Sequence, residues 1–227
     1  YPIYIFCCLL VIFFWKMFSF ISLILFLFVA SYHFGKEDSC VGNMVKKKFI
    51  SIFYLLKGSL VVIAPLLFHT EETLQIFQIL SVNLILPHEN YLFVLLLISF
   101  IANWVIMKSS NNGVFLLADW VTILTLNVFF SPLVAFTIYF CFLHSVRHSF
   151  GLIYEMGKKN FKAGLNKFVK KALPLTVVTA ILFIVSVYIL TNYYVLDDAI
   201  LKVIFIGLAS LTFPHILLEY LIEKNEK

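Results

Sequence analysis

Long apolar runs, separated by short charged or turn-forming breaks, organise this chain. A helix needs about 20 apolar residues to cross the hydrocarbon core of a bilayer. Runs near that length occupy residues 17–34, 49–69, 91–107, 114–130, 132–150, 172–192 and 199–218. They are continuous and lack the inside–outside alternation of barrel strands, so they predict helices whose backbone bonds close within each segment. Residues 1–15 are apolar from the first position, with no basic stretch before them and no small-residue cleavage site after. That pattern predicts the end of a helix whose start lies upstream, and it argues against a signal peptide. The predicted fold is therefore all-α: one polytopic transmembrane bundle over residues 1–227, with about seven complete spans and an N-terminal remnant.

Composition points the same way. Apolar residues make up 62% of the chain, charged residues 13%, and the mean hydropathy is +1.00. A soluble domain carries roughly 45–50% apolar and about 25% charged residues. Lipid is the solvent such a surface requires. The net charge of +5 comes from 17 Lys and Arg against 12 Asp and Glu. These charges are too few and too scattered to track nucleic-acid phosphates. The four cysteines, Cys7, Cys8, Cys40 and Cys141, show no paired or metal-binding spacing and read as reduced thiols.

The charges sit between the apolar runs, where they orient the bundle by the positive-inside rule. Lys36, Lys46, Lys47 and Lys48 predict a cytoplasmic loop. Glu71, Glu72 and Glu89 follow with no Lys or Arg between residues 70 and 90, as an outside connection should. Lys108 returns inside, Ser131 and Pro132 turn outside, six Lys fall within residues 151–171 inside, and Asp197 and Asp198 lie outside. Lys16 alone is misplaced. Within residues 151–171, Phe161, Leu165, Phe168 and Val169 share a helical stripe ringed by Lys158, Lys159, Lys162, Lys167 and Lys170. That arrangement predicts an amphipathic segment in the headgroup plane, its lysines toward anionic lipid; a partner-binding helix is the other reading.

Ionisable groups inside a membrane are costly and mark binding or catalysis. The six histidines are His33, His69, His88, His144, His148 and His215. His88, beside Pro87 in an outside loop, reads as a solvated residue. His144 and His148 are spaced i,i+4, which on an α-helix puts two imidazoles on one face, about 6 Å apart along the axis. Such a pair can bind one metal, although helix–helix hydrogen bonding also accounts for it. The predicted topology brings His33, His144, His148 and His215 to the cytoplasmic depth, while His69 falls at the opposite end. Either the helix of His69 is broken near Pro65 or that residue has a separate role. Imidazole ligation suits Fe, Cu or Zn, and a metal with open positions in an apolar bundle suits oxygen chemistry on a lipid-soluble substrate. Asp119 is a candidate acceptor for the outer N–H of a ligand imidazole; an interhelical pair with Lys57 or Arg147 is the alternative.

The segments "SYHFGKED", "APLLFHTEET", "YFCFLHSVRHSFG" and "LTFPHILLEY" resemble, in order and rough spacing, the bacteriorhodopsin-related protein (Brp/Blh) family of membrane β-carotene 15,15'-dioxygenases. The likeness runs from about Ala30 to Tyr220. It implies a non-haem Fe(2+) centre that cleaves β-carotene with O2 into two retinals, supplying a rhodopsin. His33, His144 and His148 match metal-ligand motifs of the family. Its fourth ligand belongs to an N-terminal helix upstream of the residues here. His215 and His69 match further motif positions, which the resemblance implies shape the site or hydrogen-bond a ligand. The expected location is the cell (plasma) membrane, with the His-rich site toward the cytoplasm.

Other classes fit less well. A di-iron desaturase or hydroxylase needs about eight His, including HxxHH clusters, and this chain has six His. A haem-binding electron-transfer protein could use His33 and one of the HxxxH pair as axial ligands. A transporter would show paired Gly- or Pro-broken helices, and a retinal-binding opsin a mid-membrane lysine, whereas Lys202 lies near the outer end of the last span.

Overall fold

The computed structural model describes residues 2–39, 50–85, 89–109, 113–157 and 160–225. Cys40, the loop lysines Lys46, Lys47 and Lys48, His88, Lys158 and Lys159 lie outside the described residues. All regular structure among the described residues is helical. The helices are α1 (Pro2–Met17), α2 (Ser19–Glu37), α3 (Ile50–Gly58), α4 (Leu60–Phe68), α5 (Thr70–Ile79), α6 (Glu89–Ser109), α7 (Gly113–Phe129), α8 (Pro132–Ile138), α9 (Val146–Gly157), α10 (Phe161–Leu190) and α11 (Leu196–Asn225), with a π-helical segment, Tyr139–Ser145, joining α8 to α9. They form two compact units: residues 1–136 with 205–227, and residues 137–204.

Among the described residues, five stretches are long and apolar enough to cross a membrane: Ser19–Glu37, Ile50–Phe68, Asn90–Lys108, Phe161–Leu190 and Leu196–Leu218. Helix α7, over an expected span, has 17 residues and rises about 26 Å, at the lower limit for a crossing. The expected span at 132–150 is helical throughout but changes hydrogen-bonding pattern twice, at the ends of the π-helical segment. Helix α10 runs unbroken for 30 residues, so the lysine-rich stripe of residues 161–171 forms its first three turns rather than a separate helix.

The first unit has its core where α2 meets α3. Leu23, Phe26, Ala30 and Phe34 are buried along α2, and Leu60, Ile63 and Ala64 along α4. Two glycines set the crossing. A Cβ on Gly35 would overlap the carbonyl of Tyr54, and one on Gly58 the carbonyl of Ser31. With no hydrophobic force between helices in lipid, such close backbone approach is how packing energy accumulates. On the other side of α2, Trp15 of α1 packs edge-on to Phe26, with ring centroids 6.2 Å apart, and the Tyr4 hydroxyl donates to the Leu211 carbonyl of α11 at 3.0 Å.

The second unit packs α9 against the start of α10. Asn160 caps α10, its side-chain oxygen accepting from the Ala163 amide at 3.2 Å. At this corner a Cβ on Gly164 would run into the Ile153 carbonyl. Beyond it, the membrane-length stretch of α10 buries none of its residues within the protein.

Candidate metal centre

His33 lies one turn from the C-terminus of α2 and is buried. Local packing fixes its helix firmly. Tyr32 and Tyr54 meet edge-to-face at 6.4 Å, and the Gly35–Gly58 contact holds the backbone two residues on. Lys57 of α3, itself buried, donates to the Asp38 carbonyl at 2.6 Å and to the Ser39 hydroxyl at 2.9 Å. Its ammonium thereby caps α2 at the end where the helix dipole favours a cation. A lysine in an apolar run is explained by that cap.

The His33 ring meets two neighbours. Phe34 lies at 6.0 Å between centroids. The other is His215 of α11, at 5.7 Å with its plane turned 88°. His215 follows Pro214 within the helix and, unlike His33, is exposed. An aromatic line runs on from Phe34 to Phe136 at 6.5 Å and from there to Phe205 at 6.3 Å, the last two rings nearly parallel.

In the second unit, His144 is buried within the π-helical segment and His148 is half-buried in the α-helix after it. The step from His144 to His148 thus crosses a junction between a π-helical and an α-helical segment. The His144 ring lies almost flat on Phe140, at 5.8 Å and 22°, and 6.3 Å from Tyr139. Short π-helical turns are rare and are frequent at functional sites.

His69 stands at a corner of the first unit. It forms the corner between α4 and α5, with φ −137° and ψ 56°. Its amide donates to the Pro65 carbonyl and its own carbonyl accepts from the Thr73 amide. The ring Nε2 is 2.9 Å from the Asn127 carbonyl of α7, and Nδ1 is 3.7 Å from Glu72. Pro65 sits inside α4, which ends three residues later at Phe68, and α5 begins at Thr70. Asp119 is half-buried on α7, in the first unit.

Among the described residues, no three His, Cys, Asp or Glu side chains stand together as a complete metal site. His33 and His215 are ring neighbours in one unit, and His144 and His148 lie on consecutive helical segments of the other. Imidazole donors suit a divalent first-row metal such as iron.

The model of the β-carotene 15,15'-dioxygenase family matches residues 1–223. The chain belongs to that family. A curated relative, the β-carotene 15,15'-dioxygenase of an uncultured marine bacterium, 66A03, is 28% identical over 217 residues, covering 90% of this chain and 73% of the relative. No solved structure matches.

Proposed function

We propose that this protein cleaves β-carotene across its central double bond with O2, giving two molecules of retinal. The observation that carries this reading is the family match over residues 1–223. In the reaction the C15–C15' bond breaks and each carbon gains one oxygen atom, so one carotene and one O2 balance two aldehydes. We propose His33, His144 and His148 as iron ligands, with Fe(2+) supplying the activation of O2.

The chain's own residues account for the rest. His33 is held by a helix whose position the Gly35–Gly58 crossing and the Lys57 cap determine. Phe34, Phe136 and Phe205 form an aromatic line beside it, suited to stack against a polyene and to exclude water. Phe140, flat against His144, holds that ring in place. The substrate arrives through the bilayer in which it dissolves. Retinal, an aldehyde able to condense with lysine, then supplies a retinal-binding rhodopsin. The proposed location is the cell membrane, with the His-rich site toward the cytoplasm.

Expression in β-carotene-producing cells tests the reading. Carotene should disappear and retinal accumulate in a two-to-one molar ratio, with iron co-purifying. Carotene left intact by a folded, iron-loaded protein would reject it.

A further inference from the structure

We propose that α6 and α7 hold an internal water molecule between them, bound by Ser99, Asn103 and Trp120. The site belongs to the first unit and does not depend on the iron-dioxygenase reading. Among the described residues, four buried side-chain polar atoms have no hydrogen-bonding partner: Trp15 Nε1, Ser99 Oγ, Asn103 Oδ1 and Trp120 Nε1. Three of the four fall on α6 and α7. Buried polar groups in native proteins are almost always bonded, either to protein or to ordered water.

The register of the two helices brings these three atoms together. Asn103 Nδ2 donates to the Leu116 carbonyl at 3.3 Å, and the rings of Phe100 and Trp120 meet at 5.0 Å between centroids. Numbers that fall along α6 while they rise along α7 mean an antiparallel pair. One turn back from Asn103 to Ser99 is therefore matched by one turn on from Leu116 to Trp120. Because a carbonyl only accepts, the Asn103 amide turns its nitrogen to Leu116, and its oxygen is the atom left over. Ser99 and Asn103 are wholly enclosed, each with 0% exposure. Residues spaced i,i+4 on a helix have Cβ atoms about 5–6 Å apart. One oxygen making two hydrogen bonds of about 2.8 Å spans a gap of that size.

Water suits this set of donors and acceptors. The Trp120 N–H can only donate, the Asn103 oxygen can only accept, and the Ser99 hydroxyl can do either. A water accepts from Trp120 and Ser99 and donates to Asn103, which gives it about three bonds, the usual number for an internal water. The indole N–H would repel a cation and the amide oxygen an anion. Enclosure of both α6 side chains favours the smallest polar ligand. Trp15 makes the contrast. Its ring packs on Phe26 and its N–H is the single orphaned atom on α1 and α2 among the described residues, whereas an internal water needs about two to four polar partners. Trp15 should stay dry.

The chain has three tryptophans, Trp15, Trp104 and Trp120, so their indole protons can be followed one by one. The full chain is purified in detergent with nitrogen-15 in the indoles, and each signal is assigned from Trp15→Phe, Trp104→Phe and Trp120→Phe. Rotating-frame cross-relaxation with water is then measured by NMR; its sign separates a bound water from hydrogen exchange. The Trp120 indole should show a water contact at least fivefold stronger than that of Trp15. In Asn103→Leu, which keeps the side-chain size and removes the acceptor, the Trp120 contact should weaken at least fivefold with helix content unchanged. No water contact at Trp120 in the wild-type chain would overturn the inference, whether or not the variant folds. So would an undiminished contact in the folded variant, or an equally strong one at Trp15, which would mean general solvent penetration rather than a bound molecule.

Discussion

Gly35 of α2 and Gly58 of α3 face each other so closely that a methyl group on Gly58 would lie 2.6 Å from the Gly35 amide nitrogen. The clashing atoms are backbone, which no rotamer change can move aside. Gly35→Ala and Gly58→Ala should each destabilise the protein by about 1–3 kcal/mol, read as a lower melting temperature in detergent. Iron binding should fall with them, because His33 sits within the same turn of α2. Gly207→Ala, where nothing lies within 4 Å of the new methyl, should be neutral or slightly stabilising. Equal effects at all three positions would contradict a tight crossing.

The π-helical turn before His148 makes a separate prediction. Phe142, in its middle, is exposed, so deleting it removes no core packing. The deletion should restore an α-helical register and turn His144 away from its present direction. Helix content should be unchanged, while iron and retinal production fall at least tenfold, as they should in His144→Ala and His148→Ala. Full activity in the deletion variant would show that the wide turn has no part in the site.

His69 should behave differently from the other membrane histidines. Replacing it with Ala removes the bond to the Asn127 carbonyl, and a buried hydrogen bond contributes about 1 kcal/mol. The variant should melt at a lower temperature yet keep wild-type iron content. Loss of iron without loss of stability would place His69 at the metal after all.

The lysines of residues 151–171 predict a cytoplasmic location for that region. A cysteine placed at Lys159, in a background lacking Cys7, Cys8, Cys40 and Cys141, should react with an impermeant reagent only after cells are opened. Labelling of intact cells would invert the topology, and with it the expected cytoplasmic depth of the histidines.

Hydrophobic runs were enough to read the helical class and most helix positions, because lipid imposes the same demand on every span. They were silent on how a run folds internally. Tyr139–Ser145 is as apolar as any α-helix, so nothing in its composition distinguishes a π-helical turn. The start of α10 looked like a separate segment because its lysines break the hydropathy, yet the helical hydrogen bonds continue through them. The corner at His69 is similar: Pro65 marked a break nearby, but helix α4 accommodates it and turns four residues later. His33, His144 and His148 were legible as motif residues. The closeness of His33 to His215 was not, since 182 positions separate them in sequence and only packing brings them together.

No residue in the most apolar stretch of helix α10 is buried within the protein. In lipid, one apolar side chain there would serve nearly as well as another. At the Gly35–Gly58 crossing no alternative to glycine fits. The two regions should therefore age at different speeds: α10 will drift freely among apolar residues over evolutionary time, while the short crossing stays fixed. Ancestry in such a protein is recorded in a few cramped turns, and its longest helix, which fills the most sequence, preserves the least of it.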